Sequence, residues 1–182
     1  MKSVFVTGYK NFELGIFKKD APEATYIKEA IRRELVAMIE DGLEWVIISG
    51  QLGIELWAGE VVAECKWKGY DVKLAVLEPF LEQQSKWNEQ NQLWYAEVLA
   101  DADYQAAITN RPYENPRQFQ LRDQFIIDNT DGVLMVYDAE REGSPKFFYD
   151  RVRQVQEREA YLLRVIDFYA LQEVVEDMNS DF

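Results

Sequence analysis

Val46-Ile47-Ile48-Ser49-Gly50-Gln51-Leu52-Gly53-Ile54-Glu55-Leu56-Trp57 reads as a strand, a tight glycine turn and a helix start. The apolar run ends in Ser-Gly, a second glycine follows after Gln51 and Leu52, and an amphipathic stretch begins at once. Such a turn exposes backbone N–H groups beside the positive end of a helix dipole, a combination that favours phosphate or another anion. The dinucleotide fingerprint G-x-G-x-x-G is absent here, so the turn points to an anion site without specifying a dinucleotide.

Outward from this turn, short apolar runs alternate with helical patterns. The runs are Val4–Val6, Trp45–Ile48, Val72–Leu77, Tyr104–Ile108, Val133–Tyr137 and Tyr161–Ile166. Most are continuously apolar, as strands buried on both faces of a parallel sheet are. Between the first two lies a stripe of Ile27, Ile31, Leu35 and Met38. After the second, Ile54, Trp57, Ala58, Val61, Val62 and Cys65 keep the spacing of one helix face, and Gly69 marks its stop. Leu81 to Ala100 reads as a helix with an irregular start after Pro79. Further helices are expected around Phe119–Ile126, around Phe148–Val155 and over Phe168–Met178. The pattern predicts one α/β domain over 1–182: a doubly wound, mainly parallel Rossmann-like sheet with helices on both faces. Ligands of such folds sit beyond the carboxyl ends of the strands, where the winding reverses.

The 182-residue chain carries a formal net charge of −13, which argues against sequence-independent binding of a nucleic-acid backbone. It contains no histidine, which excludes a Ser-His-Asp triad and an imidazole metal site; no metal is expected. The single cysteine, Cys65, falls on an apolar helix face and is expected to be a buried packing residue. No signal peptide and no membrane-spanning run is evident, so a cytoplasmic protein without membrane insertion is expected.

Five strand ends are expected to share the ligand edge: Thr7-Gly8-Tyr9-Lys10, Ser49 to Gly53, Glu78-Pro79-Phe80, Thr109 to Tyr113, and Asp138 with Gly143-Ser144-Pro145-Lys146. Glycine allows close backbone approach. Thr7, Ser49, Gln51 and Ser144 offer hydrogen bonds, and Lys10, Arg111 and Lys146 are candidate countercharges for phosphate. Tyr9, Phe80 and Tyr113 offer rings for a base. Each has a plainer reading. Gly50 and Gly53 can simply permit a sharp turn. Glu55 can be the N3 partner of a helix cap. Ser144 and Pro145 can be a cap and first residue.

These same residues resemble the YpsA family of small Rossmann-like proteins, mostly from Firmicutes. The resemblance spans the chain and rests on Thr7 to Lys10 with Phe12 to Phe17, on Ser49 to Trp57, on Arg111-Pro112-Tyr113-Glu114, and on Asp131 to Leu134 with Glu142 to Lys146. The family belongs to the SLOG superfamily, beside DprA and the LOG phosphoribohydrolases. The resemblance implies a nucleotide-derived or sugar-phosphate ligand and a link to cell-division proteins; an ADP-ribose or NAD-like ligand is the leading candidate, with AMP-like ligands close behind. The Pro-Gly-Gly-x-Gly-Thr motif of the LOG enzymes has no counterpart: that region reads Glu142-Gly143-Ser144-Pro145-Lys146.

The resulting expectation is a sensor that binds a nucleotide-type small molecule without efficient turnover. Gly8, Ser49, Gly50, Gly53 and Gly143 form its cradle, Glu55 holds ribose, and Lys10 or Arg111 neutralises phosphate. Two alternatives stay open: an N-glycosidic hydrolase using Glu55, and a protein–protein adaptor with a vestigial pocket. A homo-oligomer is compatible with all three.

Overall fold

A computed structural model describes residues 1–180. The elements run β1 (Ser3–Gly8), a short 3-10 turn (Asn11–Leu14), α1 (Pro22–Glu40), β2 (Trp45–Ile48), α2 (Ile54–Trp67), β3 (Lys73–Glu78), α3 (Glu89–Ala100), β4 (Tyr104–Ala107), α4 (Arg117–Asn129), β5 (Gly132–Val136), α5 (Lys146–Gln156), β6 (Leu162–Ile166) and α6 (Phe168–Asn179). They build one six-stranded sheet in the order β4-β3-β2-β1-β5-β6. All five neighbouring pairs are parallel. The expected doubly wound α/β architecture is the one observed.

The chain winds outward from β1 to β4, then crosses back to β5 beside β1. The winding therefore reverses between β1 and β5, whose pairing runs from Val4 opposite Gly132 to Gly8 opposite Val136. Right-handed crossovers place helices formed in opposite winding directions on opposite faces. On one face α1 packs against α2 and α6, and α2 against α3. On the other, α4 and α5 are tied together where Arg151 donates to the Gln120 carbonyl at 3.1 Å and to Gln124 Oε1 at 2.6 Å. Phe148 of α5 meets Phe5 of β1 edge-on, centroids 5.0 Å apart.

Sequence character follows position in the sheet. The central strand β5 is buried throughout, whereas the edge strand β4 leaves Tyr104 56% exposed. An edge strand has only one hydrogen-bonded neighbour, so its apolar run is not sealed as the central ones are. Trp57 and Cys65 are buried, as expected. Gly69, just beyond α2, adopts φ +96°. The third connection differs from its expected extent. Helix begins only at Glu89, because the side chain of Asn88 accepts from Asn91 N at 2.9 Å and caps it there. The preceding segment turns through Glu82, which takes a left-handed φ of 57°. Among the described residues no helix is long and apolar enough to cross a membrane.

Candidate functional site

At the carboxyl end of β1, on the α4/α5 side, a cleft of about 390 Å³ opens between the first turns of those two helices. Its polar end is built on Glu55. Gly53 precedes the first residue of α2, and the helix start turns the Glu55 side chain back under the strand ends. Oε1 accepts from Ser49 N at 2.6 Å and Ser49 Oγ at 2.9 Å, with a longer approach from Gln51 N at 3.4 Å. Oε2 accepts from Thr7 Oγ1 at 2.9 Å. The carboxylate thus ties the ends of β1 and β2 to the start of α2, and occupies the turn amides itself. Only 3% of Glu55 is exposed. Burial raises its carboxyl above the ordinary carboxylate range, opposed first by the nearby Arg122 charge and then by the Ser49 and Thr7 hydrogen bonds.

Arg122 comes from α4. Its Nη1 donates to Ser49 Oγ at 3.3 Å, its Nε and Nη2 donate to Asp123 Oδ1 at 3.0 and 2.8 Å, and its guanidinium lies over the Phe119 ring, 5.2 Å from the centroid. The arginine is held on three sides before any ligand arrives, which keeps its fork oriented at little further entropic cost. Gln83 braces the turn from behind: Nε2 donates to the Ser49 carbonyl at 2.8 Å, and Oε1 accepts from Gln51 Nε2 at 2.7 Å.

Of the expected residues, Thr7, Gly8, Lys10, Gln51, Glu55 and Ser144 line this cleft together. Ser49 lies just beneath, fully buried. Gly50 faces the Tyr95 ring and Gln83, and Gly53 faces the backbone of Tyr9 to Asn11. Tyr9 points away from the cleft: its hydroxyl donates to the Arg141 carbonyl at 2.5 Å and accepts from Asp138 N at 2.9 Å. Gly143 packs on the Tyr9 ring and Glu13. Arg111 pairs with Glu114 at 3.2 Å on the far loop, and Lys146 with Asp150 at 2.8 Å along α5. Ser144 does not cap α5. Its Oγ and N both donate to Glu13, at 2.6 and 2.9 Å, which joins the 3-10 turn to the start of α5 across the switch point. Although burial opposes it, these bonds and the one from Lys10 N hold the Glu13 carboxyl below its ordinary range.

Phe80 and Tyr113 stack on each other, 5.1 Å apart, and reach the cleft only through Phe119. A second cavity, of about 560 Å³, lies at the opposite end of the strands around Asp131 and Tyr161. It is larger, but it sits at the amino ends, no glycine is among its lining residues, and Asp131 already accepts from the amides of Lys2 and Ser3.

A family model described as the YspA SLOG family (YpsA) matches residues 4–171. The chain belongs to this family. Relatives include a UPF0398 protein of Listeria welshimeri, 70% identical over the whole of both chains. A UPF0398 protein of Listeria monocytogenes is likewise 70% identical over 182 residues. A UPF0398 protein of Bacillus thuringiensis is 52% identical over 97% of this chain and 96% of its own. In this YpsA-family chain, sequence reasoning passed over Arg122, Asp123, Phe119 and Gln83. The available signal was polarity inside an amphipathic helix: Gln118 and Arg122 fall one turn apart on α4, and Gln118 and Asp123 are both buried. Gln118 serves the neighbouring loop, its Oε1 accepting from Glu114 N at 2.6 Å and its Nε2 donating to Thr109 Oγ1 at 2.8 Å.

Proposed function

We propose that the protein is a regulatory binder of a nucleotide or nucleotide-sugar, taken up in the cleft at the β1/β5 switch point. The observation that carries this reading is the Glu55 carboxylate, fixed by Ser49 and Thr7 at the cleft floor with Arg122 alongside. A carboxylate with spare lone pairs suits the hydroxyls of a ribose, and the paired cation beside it suits a phosphate or a polarised sugar oxygen. Lys10 at the rim supplies a further cation for an anionic group. Both Glu55 oxygens are engaged inside the protein, a state better suited to holding a ligand than to shuttling protons. Binding that differs between two conformations is enough to pass on a signal. Cell-division proteins are the recipients that the family resemblance implies.

The test is isothermal titration with AMP, NAD and ADP-ribose, followed on the wild type, Glu55→Gln and Arg122→Leu. Saturable binding to the wild type, weakened about tenfold in each variant, is expected. No binding of any of the three at millimolar concentration would favour the adaptor reading.

The raised Glu55 carboxyl gives one reason to keep N-glycosidic hydrolysis in view, because a proton donor near neutral pH needs such a shift. Chromatography of the same nucleotides after incubation decides between them. Free base released at enzymatic rates and lost in Glu55→Gln would replace binding with catalysis.

A further inference from the structure

The cleft is lined by both polar and aromatic side chains. Its lining mixes Thr7, Lys10, Gln51, Glu55 and Ser144 with the rings of Phe5, Phe119, Phe147 and Phe148. The four rings play different parts. Phe5 and Phe148 are buried and packed edge-on, a rigid floor. Phe119, in the first turn of α4, is held by Phe80 at 5.5 Å and by the Arg122 guanidinium. Phe147, in the first turn of α5, is 79% exposed at the mouth of the same cleft, and among the described residues no aromatic ring packs on it. An exposed phenylalanine over an apolar floor costs solubility and returns nothing to the monomer's core.

Resting on the nucleotide reading above, we propose that these phenylalanines form the slot for the ligand's planar base. The ring lies over the Phe5–Phe148 floor with Phe147 as its closing wall, and the ribose and phosphate run toward Glu55 and Lys10. Aromatic faces accept any base by stacking, so the slot selects for a planar ring and leaves the choice among bases to rim polar groups. The volume sets the size of the ligand. At about 390 Å³ the cleft lies at the small end of ligand pockets, which span roughly 300–1,000 Å³. It takes one nucleoside monophosphate unit, so a dinucleotide leaves its second half outside.

The experiment is titration of the full chain with AMP, GMP, CMP, UMP and ribose 5-phosphate, on the wild type, Phe147→Ala and Phe147→Trp. Phe17→Ala is the control, since Phe17 is 74% exposed and lines no part of the cleft. Because Phe147 is a surface residue, its removal leaves the fold intact. At least one nucleotide is expected to bind more tightly than ribose 5-phosphate. Phe147→Ala is expected to weaken that nucleotide by at least about fivefold and leave ribose 5-phosphate unchanged. Phe147→Trp should keep or improve the binding, and Phe17→Ala should change neither. Nucleotide binding insensitive to Phe147→Ala, or ribose 5-phosphate bound as tightly as every nucleotide, would overturn the slot while leaving the nucleotide site standing. If none of the five compounds binds, the nucleotide reading fails and the slot fails with it.

Discussion

Replacing Gly53 by alanine is expected to be among the most destabilising single-methyl changes available to this chain. Gly53 sits at φ +92° and ψ −126°, which side-chain-bearing residues avoid. A Cβ built there stands 2.6 Å from the Tyr9 carbonyl oxygen and 2.7 Å from the Lys10 carbonyl carbon, with the Asn11 amide nitrogen nearer still. All three are backbone atoms, so no rotamer change relieves the overlap; the β1 loop itself must move. That movement also pulls on the hydrogen bond from Ile54 N to the Tyr9 carbonyl, now 3.1 Å. Backbone strain of about 1–3 kcal/mol and overpacking of a similar size together give a loss of about 3–5 kcal/mol. For a chain of this length the melting temperature should fall by about 10–15 °C. Thermal and urea denaturation measure it, with Gly69→Ala as the comparison. Gly69 has φ +96° but nothing within 4 Å of its Cβ position, so it reports the dihedral cost alone. If Gly53→Ala melts within about 2 °C of Gly69→Ala, the close approach of the loop to α2 is not the constraint argued here. A ligand response lost in Gly53→Ala would then require a direct role for that residue in binding.

Three further outcomes follow from individual carboxylates. Burial raises Glu55 in the folded state, so the wild type should lose stability as pH climbs from the ordinary carboxylate range through the raised value. The melting temperature of Glu55→Gln relative to wild type should therefore rise as pH climbs above the ordinary carboxylate range; a relative fall would mean that hydrogen bonds outweigh desolvation. Asp131 is lowered by the amides of Lys2 and Ser3, so its contribution is present above the ordinary carboxylate range and disappears as pH falls through the lowered value. Because the group is exposed, Asp131→Asn should cost only about 1 kcal/mol at neutral pH, and urea titrations of variant and wild type should converge in acid. Glu13→Gln should loosen the link to α5, seen as faster hydrogen exchange at the Ser144 amide, with little change in global stability. Unchanged exchange there would show that the bridge is incidental.

The fold was readable because its signals are local. Continuous apolar runs such as Val133 to Val136 mark central strands, and the stripe from Ile54 to Cys65 marks a helix against them. The cleft's composition was less readable because it depends on a long-range step. Helix α4 belongs to the crossover from the far edge strand back to β5, and only that return brings Arg122 beside Ser49, 73 positions earlier. Nothing near Arg122 in the sequence announces a partner so distant. Tyr9 lies just past the end of β1 and departs from the side that Phe5 and Thr7 share; its orientation is set by Asp138 and Arg141 on another loop, which a motif written in one dimension does not contain. The glycines illustrate the same gap. Their spacing shows that a side chain is forbidden, while only the three-dimensional arrangement shows whether ligand, ring or neighbouring backbone claims the space.

The position of β1 has a consequence for how the chain is made. It is made before the other five strands of this sheet, yet one of its two neighbours is β5, and Asp131, which accepts from the Lys2 amide, lies 129 residues downstream. β2 can flank it early, and β3 and β4 can then add in order. The other side of Val4-Phe5-Val6 stays without its pairing partner until β5 emerges, beginning with Gly132 opposite Val4. At roughly 5–20 residues per second, that interval is several seconds, long beside the microsecond-to-millisecond steps of local structure formation. During synthesis the β1–β4 half is therefore a sheet with an open apolar edge, the species on which trigger-type chaperones act and through which two nascent copies could pair wrongly. A permuted chain in which β5 is synthesised before β1 would shorten that window while keeping the strand order of the sheet.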